Sequence, residues 1–489
     1  MFDIAQHPAS QQPDRPRGRT IAHQAYRYAL DPTPRQQRAL ASHCGAARRA
    51  HNWALDLVKQ RLDERAAGLD VEVPWTLPAL RREWNRAKDQ VAPWWRENSK
   101  EAYNSGLGTL AQALANWSDS KAGRHKGRKV GFPRRKTKHR TRPSCRFTTG
   151  AIRVEPDRHH ITLPRIGRIK THESTRKLAR RLEAGSARIL SATVSCTAER
   201  WFVSFTVEVQ RNVWAPTQPQ AAVGVDVGVR YLAVLSTGQV IPNPRPLDHT
   251  QRRLRQLNRQ LARRHGPRCP GGARRAPSAG WQQTQRRLAR AHARVAHIRR
   301  DGLHKFTSDL AGTYGTIVVE HLNIAGMLGN RRLARAISDA GFGELRRQLG
   351  YKTAWAGTRL VQADAFYPSS KTCSACGAVR AKLHLGEQVF RCQNQHCGLK
   401  LNRDLNAARN LAKLVAGLQV GERDHLEVPA VAGSGPETPN ARGADARPGL
   451  AGQTATNREA GTRRHLDETG TVGAQAPATP IAETHRRSG

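Results

Sequence analysis

Three acidic residues occupy positions at which apolar or capping residues are common. Asp226 lies inside Ala-Val-Gly-Val-Asp-Val-Gly-Val, Glu320 ends Thr-Ile-Val-Val-Glu, and Asp404 opens Asp-Leu-Asn-Ala-Ala-Arg-Asn-Leu. A carboxylate in an apolar strand is costly unless it is paired or binds a metal. Taken singly, Asp226 could end a strand in a turn, and Asp404 could cap a helix. Together they can hold two hard cations about 3.5–4 Å apart for phosphodiester cleavage.

Four of the eight cysteines form two knuckles, each closed by glycine: Cys373-Ser-Ala-Cys376-Gly and Cys392-Gln-Asn-Gln-His-Cys397-Gly. Two such knuckles separated by fifteen residues predict one tetrahedral structural Zn²⁺. A disulfide and free thiols are the alternatives, but nothing in the sequence indicates secretion. The second knuckle is longer than usual, so His396 is an alternative ligand to Cys397. The following Gly398 repeats the Gly377 turn and favours Cys397.

The charge of the chain indicates its partner. The 489 residues include 82 Lys+Arg and 38 Asp+Glu, which gives a formal net charge of +44 at pH 7. Such a field gathers polyanions, which argues against an enzyme acting on a small neutral substrate. There is no apolar run of about 18 residues and no signal-peptide pattern. We therefore expect a soluble cytoplasmic protein that binds nucleic acid and has no membrane partner.

The first half of the chain changes from helical to strand-like patterning. Apolar residues recur at helical spacing up to about residue 122, and short alternating segments follow from residue 144. Both ends of the chain are poor in large apolar residues, and we expect them to be disordered. The predicted segments are disordered ends over 1–20 and 421–489, a small antiparallel β domain over 21–30 and 123–213, and a helical domain over 31–122.

Strand-like and helical segments alternate over residues 221–420. The predicted strands are followed by an Arg-rich helical pair, and then by further strands and helices. Strands that form hairpins first and are then crossed over by helices predict a mixed sheet with helices on its faces. The fold class is therefore α/β, with several domains. One long helix is predicted over 337–357 and a last helix over 404–415.

The densest basic run covers residues 121–142. A run of charge can be a solvated surface or a loop that contacts phosphates, and both interpretations stay open. Glycine, phenylalanine and proline interrupt this run in a chain that is basic throughout. The candidate nucleic-acid contacts, in this run and beside the other motifs, are Lys129, Arg134, Arg135, Lys136, Lys371 and Arg403.

The order of the motifs is distinctive. They are Gly224-x-Asp226-x-Gly228, Val318-Val-Glu320-x-Leu-Asn323, Ser369-Ser-Lys-Thr-Cys373-Ser-x-Cys376-Gly377, Cys397-Gly398 and Arg403-Asp404-Leu-Asn-Ala-Ala. In this order they resemble the TnpB (OrfB) family, transposon-encoded RNA-guided DNA endonucleases related to type V CRISPR effectors. The resemblance is strongest over 221–413. It is weaker before that, where Gly131-Phe-Pro-Arg134 resembles a family signature, and absent from the tail.

The resemblance implies an RNase H-like (RuvC) nuclease domain over 221–370 and 400–420, interrupted by a zinc ribbon over 371–399. It implies that the β domain over 21–30 and 123–213 is a β-barrel (wedge-like) domain and that the helical domain over 31–122 is a recognition domain. It also implies two Mg²⁺ ions and one Zn²⁺ as cofactors, and guide RNA and target double-stranded DNA as partners. The implied ligands are Asp226, Glu320 and Asp404 for Mg²⁺ and Cys373, Cys376, Cys392 and Cys397 for Zn²⁺. The family often has Asp where this chain has Asn402, but Asp404 aligns with the catalytic position.

These features predict a Mg²⁺-dependent DNA endonuclease guided by RNA. A transposase with a Tyr nucleophile would need a His-apolar-His metal pair, and no two of the twenty His residues lie two positions apart. A regulator that has lost cleavage would usually lack one carboxylate. A structural RNA-binding protein would leave the acidic residues in apolar segments unexplained. The sequence leaves the oligomeric state open.

Overall fold

The computed structural model describes most of the body of the protein. The described residues are 18–125, 129–138, 141–264, 277–384 and 386–416. The disorder expected for the ends therefore lies outside the described residues, except at residues 18–20. Those three residues are the start of strand β1 (Gly18–Asp31) and pair with a neighbouring strand, so the predicted boundary at residue 20 is wrong.

The first sheet has seven strands, all paired antiparallel. Besides β1 they are β2 (Ser144–Phe147), β3 (Arg153–Val154), β4 (His160–Leu163), β5 (Gly167–Thr171), β6 (Ala187–Thr197) and β7 (Arg200–Val213). Their order is β2-β6-β7-β1-β5-β4-β3. β1 pairs with β7 along most of its length and with β5 at its end. Within the described ranges no pairing joins β2 to β3, the strands at the two ends of this order. The predicted barrel is therefore an open sheet.

A helical insertion between β1 and β2 shares one hydrophobic core with this sheet. Its helices are α1 (Pro34–Ala66), α2 (Leu77–Val91) and α3 (Lys100–Lys121), and a shorter α4 (Arg176–Glu183) follows β5. Thr33 and Gln36 form a capping box at the start of α1. At Gly106 in α3 a Cβ atom would lie 2.0 Å from the Ala47 carbonyl oxygen of α1. Glycine is therefore needed where the two helices cross.

The second sheet is mixed, as predicted. Its strands are β8 (Gln218–Val227), β9 (Tyr231–Leu235), β10 (Val240–Pro242), β11 (Tyr314–Val319) and β12 (Arg359–Gln362). The order is β10-β9-β8-β11-β12. β8, β9 and β10 pair antiparallel, whereas β8, β11 and β12 pair in parallel. The hairpins therefore lie on one side of β8 and the crossover strands on the other.

The remaining elements belong to the second half of the chain, and several of them pack on this sheet, while α5 packs on α6. They are α5 (Pro246–Arg263), α6 (Ala279–Thr313), α7 (Ile324–Met327), α8 (Ala334–Ala340), α9 (Phe342–Ala356), the hairpin strands β13 (Val389–Arg391) and β14 (Lys400–Asn402), and α10 (Arg403–Ala416). The predicted helix over 337–357 is two helices, because Gly341 adopts a φ of 73° between them. Within the described ranges, every helix is too short or too polar to span a bilayer.

Candidate functional site

Asp226 and Glu320 lie at the carboxyl ends of neighbouring parallel strands. The register of β8 and β11 pairs Val225 with Val319, so the next residue of each chain segment is one of the two carboxylates. Both side chains are half-buried, whereas Val225 is fully buried on the opposite face. Side chains alternate along a strand, so a shift of one residue in this register would separate the two acids.

Helix α10 brings Asp404 toward the same edge of the sheet. A Cβ atom at Gly224 would lie 1.9 Å from the Ala408 carbonyl oxygen and 2.6 Å from the Ala412 amide nitrogen. Only glycine permits so close an approach of the helix to β8. Asp404 precedes Ala408 by about one helical turn, and Asp226 follows Gly224 by two residues. The Gly-x-Asp motif therefore supplies both the glycine on which α10 packs and one of the three carboxylates.

The N-terminus of α10 is capped by Asn402 and not by Asp404. The Asn402 Oδ1 atom accepts hydrogen bonds from the amides of Asp404 (3.0 Å) and Leu405 (3.1 Å). The alternative role considered for Asp404, that of an N-cap, is therefore performed by another residue. Asparagine and aspartate cap helices about equally well, so Asn402 keeps this function with one negative charge fewer.

The three carboxylates interact electrostatically. Burial raises the pKa of Asp226 well above its usual value, and the negative charges of Glu320 and Asp404 raise it further, while Arg403 opposes them. In the structure the oxygens of the three groups are not all within 4.8 Å of one another. The protein therefore brings three mutually repelling acids to one sheet edge. This hard oxygen donor set fits Mg²⁺.

Ser369 contacts one of these acids, although its place in a motif predicted no particular role for it. Its hydroxyl donates a hydrogen bond to Glu320 Oε1. Ser369 is 3% exposed and lies four residues before Cys373. The sequence signal was the Ser-Ser-Lys-Thr-Cys run itself, but periodicity cannot show which distant side chain a loop serine contacts.

The four knuckle cysteines form the second candidate site. Their sulfur atoms all lie within 4.8 Å of one another, with Cys373–Cys397 at 3.7 Å and Cys376–Cys392 at 3.5 Å. Four thiolates bound tetrahedrally to Zn²⁺ at about 2.3 Å would have sulfur atoms about 3.8 Å apart. The donor set and its spacing fit zinc. His396 is exposed and stands outside this group.

Backbone turns place the cysteines. Gly377 and Gly398 both adopt positive φ, 79° and 55°, a conformation that glycine adopts without strain. The Gly377 amide donates to the Cys373 carbonyl at 2.9 Å, and the Gly398 amide donates to the Asn394 carbonyl at 3.3 Å. The two turns therefore correspond, although the second knuckle is longer. This is the similarity that favoured Cys397 in the sequence.

Two basic candidates from the 121–142 run fold back onto α1. Arg135 forms an ion pair with Asp56 at 3.0 Å. The backbone of Lys136 exchanges two hydrogen bonds of 2.8 Å with the Asn52 side chain, and burial lowers the Lys136 pKa to about 8. These contacts favour a structural role for both residues. The two other candidates in the run are exposed, namely Lys129 and Arg134.

The remaining basic candidates lie beside the two candidate sites. Lys371 donates a hydrogen bond to the Ala381 carbonyl at 3.2 Å, within the cysteine-bearing segment. Arg403 contacts Asp404 Oδ1 through Nη2 at 3.2 Å. Both side chains are half-buried.

Three family models match parts of the chain. The OrfB_IS605 model, described as "Probable transposase", covers residues 204–331, and a "Cas12f1-like, TNB domain" model covers 342–411. A model described as "Helix-turn-helix domain" covers 22–66. In the structure that last segment is most of strand β1 followed by the single helix α1.

Individual relatives match over most of their length. A Mycobacterium tuberculosis protein named as an RNA-guided DNA endonuclease is 43% identical over 415 residues, which cover 80% of this chain and 86% of the relative. A Streptomyces pristinaespiralis protein with the same description is 33% identical over 396 residues, 81% of this chain and 89% of the relative. A solved complex of Cas12f1 with sgRNA and target DNA has 13% identity and a TM-score of 0.43, covering 80% and 99% of the two chains.

Proposed function

The chain belongs to the TnpB (OrfB) family, and from this premise we propose that it is an RNA-guided DNA endonuclease. Its partners are a guide RNA and target DNA, in agreement with relatives named as RNA-guided DNA endonucleases, and we propose that the target is double-stranded. Base pairing by the guide selects the target, and the protein contacts mainly backbone and a short flanking motif. The net charge of +44 agrees with simultaneous binding of two nucleic acids.

The observation that carries this proposal is the arrangement of three acids at one sheet edge. Asp226 and Glu320 follow paired residues of the parallel strands β8 and β11. Gly224 allows α10 to bring Asp404 beside them. We infer that they form the catalytic site of an RNase H-like (RuvC) domain. Burial and the negative charges of Glu320 and Asp404 raise the Asp226 pKa, so a cation bound there would favour release of its proton.

Two bound Mg²⁺ ions would supply an activated water and a stabilised leaving oxygen for phosphodiester hydrolysis. Asp226, which interacts with both other acids, would contact both ions, while Glu320 and Asp404 would each hold one. The basic surface of the protein brings the polyanionic strand to this acidic edge. Arg403, beside Asp404, limits the excess of negative charge before the cations arrive.

We further propose that the four knuckle cysteines bind one structural Zn²⁺. The arrangement of sulfur donors supports zinc over a hard cation. The ligands come from two backbone turns, so the ion would hold two segments of the ribbon together. A closed set of four protein ligands leaves no position for substrate, which favours a structural role over a catalytic one.

The nuclease assignment is tested with Asp226→Ala. We expect the variant to co-purify with the same RNA as the unaltered protein and to lose target DNA cleavage, because one of three cation ligands is missing. Sequencing of the bound RNA and a cleavage assay with Mg²⁺ measure the two properties separately. Asp309→Ala, which removes an exposed acid from α6, is the matched control and should cleave normally.

Two outcomes would contradict the proposal. Cleavage that persists in Asp226→Ala would show that the three acids are not the catalytic site. Recovery of no discrete RNA species with the unaltered protein would favour a DNA-binding function without a guide.

A further inference from the structure

One loop connects Glu320 with the cysteine ribbon. Residues 367–374, here called the strap loop, run past Glu320 and end in the first zinc knuckle. The Ser369 hydroxyl in this loop donates a hydrogen bond to Glu320 Oε1, which leaves Oε2 for a cation. Because Ser369 is 3% exposed, water has little access to replace the hydroxyl.

Two buried asparagines of α10 hold the strap loop. Asn410 Nδ2 donates to the carbonyls of Ser369 (2.8 Å) and Thr372 (2.6 Å). Asn406 Nδ2 donates to the same Thr372 carbonyl (2.7 Å), and Asn406 Oδ1 accepts from the Ser374 amide (2.8 Å). The asparagines are 2% and 0% exposed, respectively. Any displacement of the loop would leave buried polar groups without partners, which is costly.

The two asparagines and Lys413 share one face of α10, at spacings of four and three residues. Lys413 Nζ donates to the Ser374 carbonyl, next to Cys373. A different face of the same helix packs against Gly224 through Ala408. Helix α10 therefore carries Asp404, packs on the strand of Asp226, and fixes the loop that contacts Glu320.

Building on the proposed function, we propose that Ser369 is a positioning residue for the Glu320 carboxylate and that the folded zinc knuckle keeps it in place. The buried side chains of Asn406 and Asn410 in α10 hold the strap loop, and the loop enters the zinc knuckle at Cys373. Loss of either support frees Ser369, and the Glu320 carboxylate then loses the hydrogen bond that orients it. Zinc occupancy and divalent-cation affinity at the acids are thereby linked.

The test measures Mn²⁺ binding to the full chain by calorimetry. The Asp226→Ala variant gives the level of Mn²⁺ binding that does not depend on the three acids. Ser369→Ala should bind Mn²⁺ about tenfold more weakly, the size expected when one hydrogen bond to a charged group is lost. Its zinc content should stay at one per chain, because Ser369 is not one of the four cysteine ligands. Ser370→Ala, a neighbouring serine outside this network, is the matched control and should bind Mn²⁺ normally.

Further variants separate positioning from folding. Ser369→Thr keeps the hydroxyl and should restore Mn²⁺ affinity, whereas Asn410→Ala keeps Ser369 but releases the loop and should weaken Mn²⁺ binding. Cys376→Ser should lose zinc and weaken Mn²⁺ binding as well. Equal Mn²⁺ affinity in Ser369→Ala and the unaltered protein, loss of zinc in Ser369→Ala, or unchanged Mn²⁺ affinity in zinc-free Cys376→Ser would overturn the proposal.

Failure of the underlying nuclease assignment would look different. If the unaltered protein bound no more Mn²⁺ than Asp226→Ala, the acids would not form a cation site, and the positioning role would fall with it. If the unaltered protein bound Mn²⁺ and Ser369→Ala bound it equally well, only the role of Ser369 would be overturned.

Discussion

At the scale of single residues, the second knuckle shows how geometry distinguishes two neighbouring candidate ligands. The sulfur of Cys397 lies 3.7 Å from that of Cys373, whereas His396 is exposed and its amide bonds to Asn394. The four-residue gap between Cys392 and Cys397 is therefore accommodated by the loop and not by a change of ligand. The backbone turn at Gly398 makes this possible.

Substitution of the two neighbours should have opposite effects on zinc. We expect Cys397→Ala to lose the bound Zn²⁺ and lower the melting temperature, because a structural zinc site needs all four ligands. His396→Ala should retain one zinc per chain and melt normally. Zinc content by mass spectrometry and thermal melting measure both properties. Zinc retained in Cys397→Ala and lost in His396→Ala would reverse the assignment.

His51 makes the stability of the protein depend on pH. It lies in helix α1 and is 3% exposed. Burial, together with the charge of Lys136, lowers its pKa from 6.5 to about 4. The folded protein therefore keeps His51 neutral where the unfolded chain protonates it. Stability from this group is present above pH 6.5 and is lost as the pH falls toward 4, by up to about 1.4 kcal/mol per pH unit.

His51→Leu should remove this pH dependence. We expect its melting temperature to exceed that of the unaltered protein at pH 5 by more than at pH 8, because leucine fills a similar volume and takes up no proton. His249→Leu, at an exposed position in α5, is the control and should not change the slope. An equal shift of His51→Leu at both pH values would show that His51 does not titrate during unfolding.

At the scale of elements, the contact between α10 and β8 determines whether the three acids meet. The helix lies so close to the strand that a single added methyl group at Gly224 would overlap the Ala408 carbonyl. Both partners in this contact are backbone atoms, which cannot rotate away as a flexible side chain would. The helix must therefore move if the glycine is replaced.

Gly224→Ala should displace α10 and Asp404 with it. We expect a loss of stability of about 1–3 kcal/mol or more, as for other overpacked cores, and a large loss of cleavage. Gly302→Ala is the matched control, because a Cβ there meets no atom within 4 Å. Alanine in the middle of helix α6 should stabilise the protein by about 0.5–1 kcal/mol. Denaturant unfolding and a cleavage assay distinguish the two variants, and a normal Gly224→Ala protein would contradict the packing argument.

The sequence predicted the elements with strong periodicity and missed those decided by tertiary contacts. The mixed sheet and the last helix follow from apolar runs and helical spacing, and the cysteine cluster follows from its motif. The break at Gly341 was missed because a glycine within a helical pattern is often tolerated, and only the positive φ shows the end of α8. The hydrogen bond from Ser369 to Glu320 joins residues far apart in sequence, which no local pattern reveals.

At the scale of the whole molecule, the charge is unevenly distributed along the chain. Residues 421–489 contain nine acidic and eight basic side chains, so the excess of positive charge belongs to the preceding 420 residues. Of the six basic candidates for nucleic-acid contact, Arg135 and Lys136 bond to α1, whereas Lys129 and Arg134 are exposed. The first 420 residues as a whole, and not the basic run over 121–142 alone, therefore attract nucleic acid.

Binding of RNA and DNA should weaken steeply with salt. If the protein makes six to ten phosphate contacts, raising the salt from 50 to 200 mM should lower its affinity by about 10³- to 10⁵-fold. Deletion of residues 421–489 should leave the slope of log affinity against log salt unchanged, because that segment is nearly neutral. Filter binding or fluorescence anisotropy over a salt series measures this slope. A shallow slope would count against a long nucleic-acid channel.

The position of β1 in the first sheet also affects how the protein folds during synthesis. β1 is made first, yet it pairs with β7, whose residue Val213 is the partner of Gly18. At translation rates of 5–20 residues per second, roughly 10 to 40 s separate the two strands on the ribosome. Helices α1 to α3 make local contacts and can form in that interval, whereas the edge of β1 that pairs with β7 stays unpaired. In the nascent chain, β1 is therefore open to misfolding for longer than the helices are. We expect chaperones to be needed mainly for this strand.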